Sequence, residues 1–173
     1  MIINVSEIDE NGFELNTTRP PKWLDNLDEL NSENCLINIC SDIEFDLFIQ
    51  KIGNEIDLSG SINFSISGSC ALCLTEVKEN KNIPLRLILS LSKDEDDIDE
   101  QPDDYYETYS GEKIDLSEFL KEQIVLSLPY KLLCKEDCKG LCPKCGTNLN
   151  IEKCNCKNNW EDSKFAVLRN IKV

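Results

Sequence analysis

The chain has 173 residues, a hydrophobic content of 40% and a formal charge of −15. That length suits one domain, or one domain with a small satellite, and the apolar content suffices for a buried core. No run approaches the eighteen apolar residues of a membrane span, and an excess of acids argues against broad phosphate binding. The start, MIINVSEIDENGF, has no basic end and no apolar run before a small-residue cleavage site. The reading is therefore a cytoplasmic protein, in which cysteines stay reduced.

The segment RPPKWLDNLDELNSEN reads as a loop with a short helical turn near Trp23 to Leu30, Trp23 being a core or cap residue. From Ile37 to Ile49 the odd positions are apolar except Ser41, and polar residues such as Asn38, Glu44 and Asp46 lie between them. This is the period of a half-buried strand. Gly53-Asn54 supplies a turn, and SINFSIS continues the alternation through Ile62, Phe64 and Ile66. NIPLRLILSL alternates again, with Ile83, Leu85, Leu87, Leu89 and Leu91 on one side. Pro84 cannot donate to a ladder and predicts the strand's start or an edge. Together these strands predict an antiparallel sheet with one wet face.

Ser92 to Glu112 carries ten acids against one lysine and reads as an acidic, flexible linker. Beyond it the period becomes helical, with Leu116, Phe119, Leu120, Ile124 and Leu128 on one stripe. Asp115 and Glu118 resemble a capping box and Pro129 stops the helix, whose stripe should pack on the sheet. WEDSKFAVLRNIKV could form a short closing helix. The expected architecture is α+β and β-rich: an antiparallel sheet or partial barrel with one packed helix and a C-terminal zinc-knuckle segment. It divides into a β-rich part (1–91), the linker (92–112) and a helix with a cysteine-rich segment (113–173), forming one composite domain.

The ten cysteines carry the chemistry. The spacings are Cys70-x2-Cys73, Cys134-x3-Cys138, Cys142-x2-Cys145 and Cys154-x-Cys156. In a reduced compartment such pairs point to metal, because two-residue spacing lets both sulfurs converge on one ion from a tight turn. Eight paired cysteines make two four-thiolate sites. Cys142, Cys145, Cys154 and Cys156 can close locally with little loop entropy, leaving Cys70 and Cys73 to join Cys134 and Cys138. The alternative joins Cys70 and Cys73 to Cys142 and Cys145. Zinc is the expected ion, two per chain, although a set of four cysteines also suits an iron–sulfur cluster. Cys35 and Cys40 read as buried thiols rather than ligands.

A tetrathiolate zinc has no open position, so it builds structure. The chain contains no histidine to activate a thiol, no phosphate-cradling glycine motif and no strand–helix unit around CALC. These missing parts argue against an enzyme. From Lys131 to Val173 nine Lys and Arg stand against five acids, which either offsets thiolate charge or forms a small RNA-touching patch.

CALCL after a serine-rich strand, IDLSEFLKEQIVLSLPYKLLCKEDCKGLCPKCGTNLN, the Cys-x-Cys pair and FAVL together resemble the YceD-like family of large ribosomal RNA subunit accumulation proteins. Leu72 departs from the pattern, in which an arginine commonly precedes the second cysteine. The resemblance implies a cytosolic bacterial or organellar factor needed for accumulation of large-subunit ribosomal RNA. Carried onto this chain, it implies a first site of Cys70, Cys73, Cys134 and Cys138, with the second site an accessory. With the family reading, the expected partner is a protein in ribosome assembly or RNA processing; the lack of an apolar span and of catalytic parts adds the expectation of no membrane and no small-molecule substrate. The competing expectations are a zinc-ribbon adaptor unrelated to ribosomes, for example in transcription, and a thiol redox or metal-handling protein.

Overall fold

A computed structural model describes residues 1–25, 27, 37–91 and 106–156. Its centre is one long hairpin, β5 (Glu55–Ser69) against β6 (Glu76–Leu91), antiparallel over its whole length. β4 (Ile43–Ile52) pairs with β5 on the other side, and β2 (Phe13–Arg19) pairs with β4. β7 (Tyr106–Tyr109) adds to β6 in parallel. A separate pair, β1 (Ile2–Asn4) with β8 (Lys113–Asp115), leads into α1 (Ser117–Ser127). No described helix is long and apolar enough to cross a membrane.

The alternation fixes which face is buried. Phe45, Leu47 and Ile49 on β4, Ile56, Leu58 and Ile62 on β5, and Leu85, Leu87 and Leu89 on β6 form one core. Leu116, Leu120 and Ile124 of α1 join it, so the helix lies on the apolar face as its stripe predicts. Trp23, in a single short helical turn (Pro21–Leu24), meets Phe45 edge to face at 5.6 Å, and Lys121 of α1 lies 5.0 Å from its ring centroid. Trp23 therefore rivets the N-terminal loop between sheet and helix. The expected helical turn beyond Leu24 lies mostly outside the described residues, as do Cys35 and the expected closing helix.

Several expectations need correction. The run from Ile37 to Ile49 is two strands, β3 (Ile37–Ile39) and β4, both lying along β5. The register slips by two residues across Cys40–Asp42: Ile39 faces Ile66, but Glu44 faces Asn63. An even slip keeps the side-chain parity, so the apolar residues stay at odd positions on both sides of the interruption, within which Ser41 is the one polar exception. Ser65 closes the gap: its carbonyl accepts Cys40 N–H at 2.9 Å, and its own N–H donates to Ser41 Oγ at 2.8 Å. Cys40 sits exposed in this break instead of buried.

Pro84 does not start its strand, since β6 begins at Glu76. It occupies the edge position that its missing N–H requires, because β7 pairs only with Ile88–Leu91. β7 also places part of the expected linker, Tyr106–Tyr109, within the sheet. It makes the sheet mixed rather than wholly antiparallel, and the described strands form no closed barrel. The expected capping box does not form. Asp115 Oδ1 instead accepts the Ser117 N–H at 2.9 Å and the Met1 ammonium at 2.8 Å, while Leu116 holds the N-cap position.

Two glycines carry different loads. Gly60 (φ 152°) faces Leu47, and a Cβ there would lie 2.0 Å from the carbonyl oxygen of Asp46. Gly53 (φ 63°) opens the two-residue β4–β5 turn, and a Cβ there would meet nothing within 4 Å. Gly53→Ala should therefore cost about 1 kcal/mol, from backbone strain alone. Gly60→Ala should cost roughly 3 kcal/mol or more, because backbone cannot yield. Urea unfolding of both variants checks the order; equal midpoints would contradict it.

Candidate metal centre

The sequence around each Cys-x-x-Cys folds in the same way. In the first, Cys70 N–H donates to Thr75 O at 2.8 Å and Leu74 N–H to Cys70 O at 2.9 Å. In the second, Cys142 N–H donates to Thr147 O at 2.8 Å and Gly146 N–H to Cys142 O at 2.9 Å. The residue after the second cysteine is left-handed in both, Leu74 at φ 60° and Gly146 at φ 73°. Glycine meets that demand freely, whereas leucine bears strain on the order of 1 kcal/mol. Each turn then directs two sulfurs to one side, as two-residue spacing predicts.

The first turn sits at the tip of the β5–β6 hairpin. The segment after α1 comes alongside, because Leu132 is buried in the core and its carbonyl accepts the Ala71 N–H at 2.8 Å. This brings Cys134 and Cys138 to the hairpin tip, with Cys73 Sγ 3.5 Å from Cys134 Sγ and Cys70 Sγ 3.8 Å from Cys138 Sγ. Cys142, Cys145, Cys154 and Cys156 meet separately. Within each group the four sulfurs lie within 4.8 Å of one another. The structure thus brings together all eight paired cysteines, in these two groups. The grouping of Cys70 and Cys73 with Cys142 and Cys145 is not formed.

The donor chemistry fits a metal. All eight thiols are free, and separations of 3.5 and 3.8 Å exceed any disulfide bond, which is about 2.05 Å long. A tetrahedron of sulfurs about 2.3 Å from a zinc ion has edges of roughly 3.8 Å. The thiols also oppose one another's ionisation. Burial alone would raise Cys70, but the backbone N–H groups of Cys134, Leu72 and Cys73 outweigh it and lower the thiol to about 6. Cys134, sharing a proton with Cys73 and partly desolvated, is pushed up to about 12. The second group repeats this: the Thr147 hydroxyl and N–H lower Cys145 to about 6, and contact with Cys145 raises Cys156 to about 12. Four thiolates can coexist at this spacing only around a cation.

Cysteine spacing does not reveal the residues that support these sulfurs. Thr75 Oγ1 lies 3.3 Å from Cys73 Sγ, and Thr147 Oγ1 lies 3.2 Å from Cys145 Sγ. The signal was present as a repeated Cys-x-x-Cys-(Leu/Gly)-Thr. Asn150 Nδ2, 3.3 Å from Cys138 Sγ, had no comparable signature.

Residues 58–172 match the model of the family described as large ribosomal RNA subunit accumulation protein YceD. An uncharacterized protein of Mycobacterium leprae is 24% identical over 131 residues, covering 76% of this chain and 60% of the relative. One of Mycobacterium tuberculosis is 27% identical over 110 residues, covering 64% and 53%. The large ribosomal RNA subunit accumulation protein YCED homolog 1, chloroplastic, of Arabidopsis thaliana is 35% identical over 60 residues, covering 35% of this chain and 19% of the plant protein. The chain therefore spans 60% or less of the length of these curated relatives. No solved structure matches it. With its match running from near the start of β5 through both cysteine groups, the chain belongs to the YceD family of large ribosomal RNA subunit accumulation proteins.

Proposed function

We propose that this chain is a non-catalytic factor in ribosome biogenesis that supports accumulation or processing of large-subunit ribosomal RNA. It carries two structural zinc ions, one on Cys70, Cys73, Cys134 and Cys138, the other on Cys142, Cys145, Cys154 and Cys156. The family membership carries the ribosomal part of this reading. The two compact four-sulfur groups support the metal part. Four thiolates fill a tetrahedral shell and leave no position for substrate or water, so such an ion holds structure and activates nothing. The protein then works by presenting a surface to a protein partner in assembly or RNA processing.

Zinc is needed where the apolar core is thin. Leu132 and Cys142 are the only buried apolar side chains among residues 130–156, so hydrophobic burial contributes little there. Structural zinc supplies apparent free energy on the order of 10–16 kcal/mol, as much as a small domain's whole stability. The sheet, by contrast, buries a full apolar core with α1.

Metal analysis of the purified chain should find two zinc ions, falling to about one in Cys142→Ser; no bound metal would refute the sites. Ion binding must also expel the proton from Cys134 or Cys156, whose thiols stay protonated up to about 12 without a cation. Affinity should therefore fall at least tenfold per unit as pH drops from 8 to 6, measured by chelator competition. Depleting the protein in cells should lower mature large-subunit ribosomal RNA or accumulate its precursors. Unchanged levels of both, with polymerase subunits captured in place of ribosomal particles, would support a transcription adaptor.

A further inference from the structure

The two cysteine groups are not independent. Lys139 N–H, next to Cys138, donates to Asn150 Oδ1 at 2.9 Å. A backbone N–H can only donate, so this bond fixes which end of the amide is oxygen. The Asn150 NH2 must then face the other way, where it reaches Cys138 Sγ at 3.3 Å and Asn148 Oδ1 at 2.9 Å. Asn148 is oriented likewise: its Oδ1 accepts the Asn150 N–H at 3.0 Å, and its Nδ2 points to Thr75 Oγ1 at 3.5 Å. Thr75 is the hydroxyl beside Cys73 Sγ. Once Cys73 is a thiolate, that hydroxyl donates to sulfur and its oxygen is free to accept from Asn148. Two side chains borne between Cys145 and Cys154 of the second group thus reach two sulfurs of the first, one directly and one through Thr75.

The backbone makes the same connection. Leu149 N–H donates to Gly140 O at 2.9 Å, Leu141 bridges Asn148, and Leu141 N–H donates to Leu72 O at 3.0 Å. Gly140 (φ +70°) packs so close to that Leu72 carbonyl that a Cβ would lie 3.1 Å from its oxygen.

Resting on the two-zinc reading above, we propose that Asn150, with Asn148, is a positioning residue that couples the sites, so that filling the second site tightens the first. A metal on Cys142, Cys145, Cys154 and Cys156 closes the loop that carries both asparagines. The closed loop holds their N–H donors against the first site, where they disperse the negative charge of a tetrathiolate. The second site is then a buttress of the first. By linkage, metal at the first site tightens the second by the same factor.

Zinc titration of the full chain against a chromophoric chelator tests this. Asn150→Ala should still bind two ions, with one site weakened ~10–100-fold. Asn150→Asp keeps the acceptor for Lys139 N–H but puts a carboxylate where sulfur needs a donor, so it should weaken that site more than alanine does. A purely structural cap would instead tolerate aspartate better. Cys154→Ser, which removes a ligand of the second site, should weaken the remaining ion by a similar factor. Adding Asn150→Ala to it should then cost little more, because both changes cut one connection. Affinities within twofold of the parent in both Asn150 variants, or fully additive losses in the double variant, overturn the coupling. A parent chain that binds no zinc overturns the metal reading itself, a distinct result. Circular dichroism of each variant separates lost coupling from lost fold: a variant whose sheet signal is intact but whose affinities are unchanged counts against the proposal.

Discussion

The meeting of four sulfurs from chain segments more than sixty residues apart is the constraint on which the functional end of this molecule depends. It rests on two kinds of interaction of different physical character. Apolar burial lays α1 on the sheet through Leu120 and Ile124, and Leu132 keeps the following chain in the same core. The Leu132 carbonyl takes the Ala71 N–H, and beyond that bond the segment is tied to the hairpin tip by hydrogen bonds and by the meeting of sulfurs. Hydrophobic packing, which is non-directional, brings the segments near each other. Hydrogen bonds and thiol geometry, which are directional, set the sulfurs in place.

This division gives the protein two kinds of end. The sheet shares one apolar core with α1, and its outer face is wet and carries small polar residues: Ser65 bonds Asn80 at 2.8 Å, and Asn63 bonds Asp46 at 3.1 Å. The cysteine segment has almost no core of its own. Its shape is held by repeated local solutions, the same turn with the same threonine hydroxyl at the second sulfur. Leu72, Leu74, Tyr130 and Ile151, at the hairpin tip and along this segment, are exposed.

Leu74 illustrates how the cluster tolerates local cost. A left-handed leucine would relax if only the turn held it. Here the Cys70 carbonyl takes the Leu74 N–H, the Thr75 carbonyl takes the Cys70 N–H, and the sulfurs of Cys70 and Cys73 are held against Cys138 and Cys134. Strain of this kind persists where surroundings over-determine a conformation. The equivalent Gly146 shows the same turn without that cost.

Much of this was legible in the residues. Period-two runs identified β4, β5 and β6 and their buried faces, because side-chain parity is a local property of a strand. The helix was legible from its stripe, and the eight sulfurs from their spacing. Other features were not. The break at Cys40–Asp42 is silent because a slip of two preserves parity, and β7 is hidden among acids whose charge outweighs its short β pattern. The asparagines that bridge the cysteine groups have no periodicity at all. What the sequence determined alone was therefore what depends on neighbours along the chain: strand faces, helix stripe, knuckle turns and the chemistry of the donors. Which cysteines meet, where β7 joins and what Asn148 and Asn150 touch depend on neighbours in space, and only packing of the sheet, α1 and the loops decided them.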